Sequence, residues 1–231
     1  MAFYSNPKIV TDGLILALDA GSENSYPGSG TTWTDLSGNG NNGTLNVEGI
    51  GTVSASLDTM AFDGSSSDII TLTDSSFDTV FSGSSSWSIQ FMASLIGSNS
   101  YYPLFSKGST ANNQGPGFTV HGYGGRIEGG DGSSGYDVYS FFGSDLRNTG
   151  FNLLTITYDG TNIRGYKNTT LKKTYEWTSG IGDTSAYDVK IGDFWGPNFE
   201  GYIDIVRFYN KTMSQTEITQ NFNAQRNRFG I

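Results

Sequence analysis

The chain of 231 residues carries a formal net charge of −9, a single histidine and no cysteine, which argues against a basic nucleic-acid face and excludes disulfides, Cys-ligated zinc and thiol catalysis. Its 32 glycines, 5 prolines, 14% aromatic and only 15% charged residues describe a turn-rich chain that folds around bulky apolar side chains. The first residues, Met1-Ala2-Phe3-Tyr4-Ser5-Asn6-Pro7, lack a basic n-region, and the apolar run 14–18 is too short for a signal-peptide core or a membrane span. Neither general secretory export nor membrane insertion is expected.

In chain order, period-2 alternation predicts strands over 14–18, 69–72, 87–95, 102–105, 118–121, 151–158, 163–166, 187–191 and 202–209. In the third of these, Trp87, Ile89, Phe91, Ala93 and Leu95 share one face, opposite Ser88, Gln90, Met92 and Ser94. The strand 151–158 is apolar on both faces and is expected to be central, and Asp159-Gly160 turns it into 163–166. Turn signals separate the rest, at 37–43, Asp63-Gly64, 129–132 and 180–183. Trp33 and Trp87 read as core. Near the end, Ser214-Gln215-Thr216-Glu217 is a capping box, with Met213 and Ile218 placed for a hydrophobic staple. Ile218 and Phe222 then share a helical face, predicting one short C-terminal helix that caps an end or edge of the fold. Many short strands without an intervening helical period predict an all-β, antiparallel two-sheet sandwich over 1–231, with 1–12 as an arm and 214–231 as helix and tail.

Five segments, in order, resemble the laminin G-like jelly rolls of the concanavalin A-like lectin/glucanase superfamily. Trp33-Thr34-Asp35-Leu36-Ser37-Gly38-Asn39-Gly40-Asn41-Asn42-Gly43 resembles their W-x-D-x-S-G-N opening. Ala61-Phe62-Asp63-Gly64 is similar to their second strand, and Trp87-Ser88-Ile89-Gln90-Phe91 to a later one. Leu153-Leu154-Thr155-Ile156-Thr157-Tyr158-Asp159-Gly160 resembles their central hairpin. Gly201-Tyr202-Ile203-Asp204 and the residues up to Ser214 are similar to their closing G-x-I-D stretch. The terminal Asn221-Phe222-Asn223-Ala224 through Arg228-Phe229-Gly230 resembles virion proteins of tailed bacteriophages. The resemblance implies a jelly-roll sandwich and a non-enzymatic role as a virion component: a capsid decoration, fibre or tail protein on the particle surface. Its partners would be other virion proteins or copies of itself. The alternative is a calcium-assisted, lectin-like domain for host or surface glycans.

Related jelly rolls include glycoside hydrolases, which need paired carboxylates. No E-x-D-x-x-E pattern occurs here, and Glu200 and Asp204, four residues apart, would have Cα atoms about 13 Å apart on an extended strand. His121 reads as a surface or loop residue without a nucleophile elbow. No catalytic residue is expected. For metal, strict alternation places Asp204 beside Tyr202, Val206 and Phe208, where an unpaired carboxylate would be costly. Asp19 ends a similar apolar run, and the oxygen-rich loop 37–43 offers Asn42. Calcium favours such oxygen donors, and the resemblance implies calcium in many members, with the Asp of the closing motif among its ligands. The competing readings are ion pairs with Arg207 or Arg164, or Asp19 capping the turn at Ala20-Gly21. For sugars, which stack on rings, the candidates are Trp195 in a Gly/Pro-rich loop, Tyr123 and Tyr136.

Overall fold

The computed structural model describes residues 7–46, 59–65, 68–73, 75–83, 85–96, 103–108, 116–122, 124–133, 136–143, 146–177, 180–193 and 199–231. In chain order the elements are β1 (Leu14–Asp19), β2 (Thr32–Trp33), β3 (Gly43–Leu45), β4 (Met60–Asp63), β5 (Ile70–Leu72) and helix α1 (Ser76–Val80). Then follow β6 (Trp87–Leu95), β7 (Pro103–Gly108), β8 (Pro116–His121), β9 (Gly124–Asp131) and β10 (Tyr136–Gly143). The last are β11 (Asn152–Tyr158), β12 (Asn162–Lys167), β13 (Thr170–Glu176), β14 (Val189–Ile191), β15 (Glu200–Tyr209) and α2 (Gln215–Phe229).

Among the described residues these strands form two antiparallel sheets, the jelly-roll sandwich expected. One sheet has seven strands in the order β1-β15-β6-β11-β12-β13, with β4 also on β15; the other has eight, β10-β9-β8-β7-β14-β5-β3-β2. Along one edge of β15, β4 pairs with residues 200–203 and β1 with residues 205–209. The alternation read from the sequence explains the core. Trp87, Ile89, Phe91 and Leu95 of β6, and Leu154, Ile156 and Tyr158 of β11, point between the sheets. Trp33 and Trp87 are fully buried, as read. Every residue of β11 is buried, in keeping with its central place between β6 and β12.

Five strands escaped the sequence, the short β2 and β3 and the longer β9, β10 and β13. The stretch 129–131, read as a turn, continues β9, and the chain turns only at Gly132, where φ is 82°. Glycine there serves packing: a Cβ at Gly129 would lie 2.5 Å from the Trp177 ring. β10 pairs with β9, and β13, exposed at six of its seven positions, has no apolar face to betray it. Helix α1 was also missed, because five residues are too few to display a period. It nevertheless supplies Phe77 and the adjoining Phe81 to the centre of the sandwich.

Helix α2 begins as predicted. Ser214 Oγ accepts the Glu217 backbone N–H, and the Glu217 carboxylate accepts the Ser214 N–H at 2.8 Å. Met213 and Ile218 share one apolar cluster, completing the staple. The expected position was different. Instead of capping an end, α2 lies across the outer face of the seven-stranded sheet. There Ile218 meets Tyr209, Tyr166 and Val10, while Phe222 meets Met92, Leu153 and Ile205. Met92, Leu153 and Ile205 give the outward side of β6, β11 and β15 an apolar patch, which the helix covers.

Candidate functional site

β15 carries a bulge. Ala93 and Met92 of β6 pair with Ile203 and Ile205, which leaves Asp204 as the extra residue. The bulge reverses the parity that strict alternation assigned. Ile203, Val206 and Phe208 face the core, whereas Ile205 turns outward beneath α2. Asp204 therefore does not share a face with Val206 and Phe208, as alternation required. It lies on the outer side with Tyr202, where Arg228 of α2 reaches it.

Asp19 and Asp204 are brought together, as the sequence suggested, and a guanidinium stands between them. Arg228 Nη2 lies 2.9 Å from Asp19 Oδ1 and 2.6 Å from Asp204 Oδ1. Asp19 also caps its turn by accepting the Gly21 N–H at 3.1 Å. Arg164, one of the two partners considered, instead pairs with Asp159 at 2.6 Å. Burial pushes the Asp204 carboxyl up to about 7 against the pull of Arg228. Asn42 is employed elsewhere: its Oδ1 accepts the Asp35 N–H at 2.9 Å. Asp35 in turn holds the loop, accepting from the Ala17, Ser37 and Asn41 N–H groups. The three proposed metal ligands thus do not converge, and no cluster of three His, Cys, Asp or Glu suited to a metal occurs among the described residues. As a calcium site the Asp19–Asp204 pair does not fit, because its oxygens already face a cation.

A pocket of about 280 Å³ lies where β4 meets β15, lined by Ala61, Phe62, Asp63, Ile96, Glu200, Gly201 and Tyr202. Its two carboxylates, Asp63 and Glu200, are direct cross-strand partners. Such partners hold their Cβ atoms only about 4.5–5.5 Å apart, so two acids that are distant in sequence share one wall. Tyr202, half-buried, is Ala61's partner in the same ladder. Its ring leans on Phe151, 6.4 Å away, which packs at 4.9 Å on Phe229 of α2. Ile96 adds an exposed apolar rim. Gly201 is required here: its φ is 149°, and a Cβ would fall 2.2 Å from the Ser94 carbonyl oxygen. The sequence offered both acids, but nothing local showed that β4 would pair with the start of β15.

Behind Asp63 sits a second acid. The fully buried Asp68 accepts the Asp63 N–H at 2.5 Å and the Ser65 hydroxyl at 3.1 Å. Burial pushes Asp68 up to about 6, while the Ser65 backbone N–H and the bond with Asp68 hold Asp63 below the usual range. Below about pH 6 Asp68 thus holds the proton and Asp63 is the ionised member. The folded state binds the Asp68 proton more tightly than the unfolded chain, whose aspartate pKa is about 3.9. Its contribution to stability is complete below that value and is lost as the pH rises through about 6. We expect the melting temperature to fall between pH 4.5 and pH 7, and Asp68→Asn to reduce that fall. An identical fall in the variant would refute the assignment.

The outer face of the eight-stranded sheet has a different character. One cross-strand row runs Thr32, Thr44, Thr71, Lys190, Ser106, Thr119, Glu128 and Val138 over all eight strands. His121, read as a surface residue, is buried at the end of β8, with Nε2 3.7 Å from Glu128, which also pairs with Arg126. Tyr136 lies in β10 opposite Gly130 on this sheet. Trp195 and Tyr123 lie outside the described residues. No helix among the described residues is long and apolar enough to cross a membrane.

Residues 63–219 match the family model described as the concanavalin A-like lectin/glucanases superfamily. The chain belongs to this family. No curated protein matches it in sequence. Solved structures resemble this concanavalin A-like domain at low identity, and the likeness is one of fold. Domain 4 of AbnA, an extracellular arabinanase from Geobacillus stearothermophilus solved with arabinotriose, is 17% identical with a TM-score of 0.63, over 90% of this chain and 97% of that one. The botulinum neurotoxin type G receptor-binding domain is 19% identical with a TM-score of 0.63 over 93% of this chain. A botulinum neurotoxin type C structure, whose cell entry depends on two ganglioside molecules, is 16% identical with a TM-score of 0.65. The chain spans 52% of each of these two toxin chains.

Proposed function

We propose that this concanavalin A-like domain is a non-catalytic glycan-recognition module whose ligand enters the pocket between β4 and β15. The observation that carries the reading is the composition of that pocket: one half-buried tyrosine ring beside two cross-strand carboxylates. Sugars present an apolar C–H face that stacks on an aromatic ring, and hydroxyls that donate to carboxylate oxygens. A volume of about 280 Å³ is at the small end for ligand sites, suited to one terminal sugar and not to a long chain. The neighbouring folds support the reading, since one was solved with arabinotriose and another concerns ganglioside binding. A glycan array followed by calorimetry on its hits tests it. Tyr202→Ala is expected to weaken binding by about tenfold or more, the equivalent of roughly 1.4 kcal/mol. Silence across the array would remove glycan recognition, whereas a hit untouched by Tyr202→Ala would move the site elsewhere.

A virion role for the same module rests on the resemblance of its closing segment, Asn221 to Gly230, to phage particle proteins. Presentation on a particle and glycan recognition are compatible, because a surface module can do both. Mass spectrometry of purified particles that fails to find the chain would end that placement.

A further inference from the structure

We propose that Arg228 is the resident cation of the Asp19–Asp204 pair, so that these carboxylates fasten the C-terminal helix and bind no divalent metal. Calcium requires six to eight oxygen donors at about 2.3–2.6 Å. Here Asp19 Oδ1 and Asp204 Oδ1 both face the same Nη2, and the Asp204 carbonyl accepts the Ala20 N–H at 2.8 Å. The guanidinium is seated tightly. It lies against the Gly21 backbone, where an added Cβ would stand 3.0 Å from Cζ, and 4.8 Å from the centre of the Phe229 ring.

Charge counting leads to the same place. Arg207, three residues beyond Asp204 on β15, is 2% exposed, and its Nε and Nη1 have no hydrogen-bond partner. Both aspartates and Arg228 act on it electrostatically. Above about pH 7, where Asp204 is ionised, two carboxylates and two guanidinium groups thus balance to zero beneath and beside α2. A divalent ion added to that set would leave an excess of two positive charges in a partly buried place, which is costly unless an arginine is expelled. The arginine comes from the last turn of α2, so the charge balance is complete only when the helix is docked.

The test is thermal unfolding at pH 8, in EDTA and in millimolar calcium. The wild-type melting temperature is expected to be the same in both. Arg228→Ala is expected to lower it by about 5 °C, the scale for breaking a partly buried ion pair in a chain of this size. Asp204→Asn combined with Arg228→Ala should lose less than the sum of the two single losses, because the charge left unpaired is gone. If Arg228→Ala does not fold, the same cycle is run with Arg228→Lys and Asp19→Asn. The proposal is overturned if calcium raises the wild-type melting temperature and Asp204→Asn removes that rise. Strict additivity of the two losses would overturn it equally.

Discussion

Replacing Asn221 with leucine is expected to lower the melting temperature by roughly 10 °C, since each buried polar group left unpaired costs about 1–3 kcal/mol and each kcal/mol is worth a few degrees here. Asn221 is fully buried at the interface between α2 and the seven-stranded sheet. Its amide uses both ends. Oδ1 accepts the Val10 N–H at 2.7 Å, and Nδ2 donates to Gln90 Oε1 and to Tyr209 Oη, each at 2.8 Å. Gln90 Nε2 continues the chain to Thr155 at 3.0 Å, and Tyr209 Oη donates to the Val10 carbonyl at 3.2 Å. Leucine keeps the volume but strands the Gln90 carbonyl oxygen and the Val10 N–H in an apolar layer. Because this network ties the N-terminal segment, three strands and the helix together, amide exchange should accelerate first at Val10 and along α2. A loss below about 1 kcal/mol in chemical denaturation would mean that water replaces the amide at little cost.

Phe81→Ala is the second large effect, about 3–5 kcal/mol, in the range measured for emptying a buried aromatic site. Phe81 follows α1 and has no exposed surface. Its ring centroid lies 5.3–5.7 Å from those of Trp87, Phe105, Phe118 and Phe208, with edge-to-face geometry throughout. These rings come from both sheets and from the segment after α1, so no single element can move to fill the void. Urea denaturation should show the lower midpoint with an unchanged slope. A changed slope would point to a loosened native state instead of a cavity. Phe81→Leu, which refills part of the space, should recover part of the loss.

Both predictions bear on what could be read in advance. The alternation of β6 and β11, the turn at Asp159-Gly160 and the box at Ser214 to Glu217 were legible because each is decided within a few neighbouring residues. Intra-strand period, positive φ at Gly160 (93°) and reciprocal capping bonds are local physics. β9 and β13 were not legible. β9 is rich in glycine because Trp177 and Phe142 press on its backbone from elsewhere, and β13 interrupts its two apolar residues, Leu171 and Tyr175, with lysines and threonine. The closing segment was recognised as a pattern without reasons. The structure supplies them: Asn221 is the hydrogen-bond hub, Phe222 packs on Leu153 and Met92, Arg228 joins two carboxylates, and Gly230 ends the helix at φ 67°.

The site shows the same division more sharply. Sequence alone determined that Asp19, at the end of an apolar run, and Asp204, inside one, must be satisfied, because desolvation penalises any unpaired carboxylate wherever the chain places it. It also determined the two-sheet class, because alternating strands with one apolar face can bury that face only against another layer. Only the tertiary structure decided what satisfies the acids and where a ligand fits. The bulge at Asp204, the passage of α2 across the outer face and the pairing of Asp63 with Glu200 all join segments far apart in the chain. Such contacts arise from whole sheets competing for register, and a one-residue shift in register exchanges every inward side chain for an outward one. Local pattern therefore identifies the carboxylates, and long-range pairing decides whether they meet a metal, an arginine or a sugar.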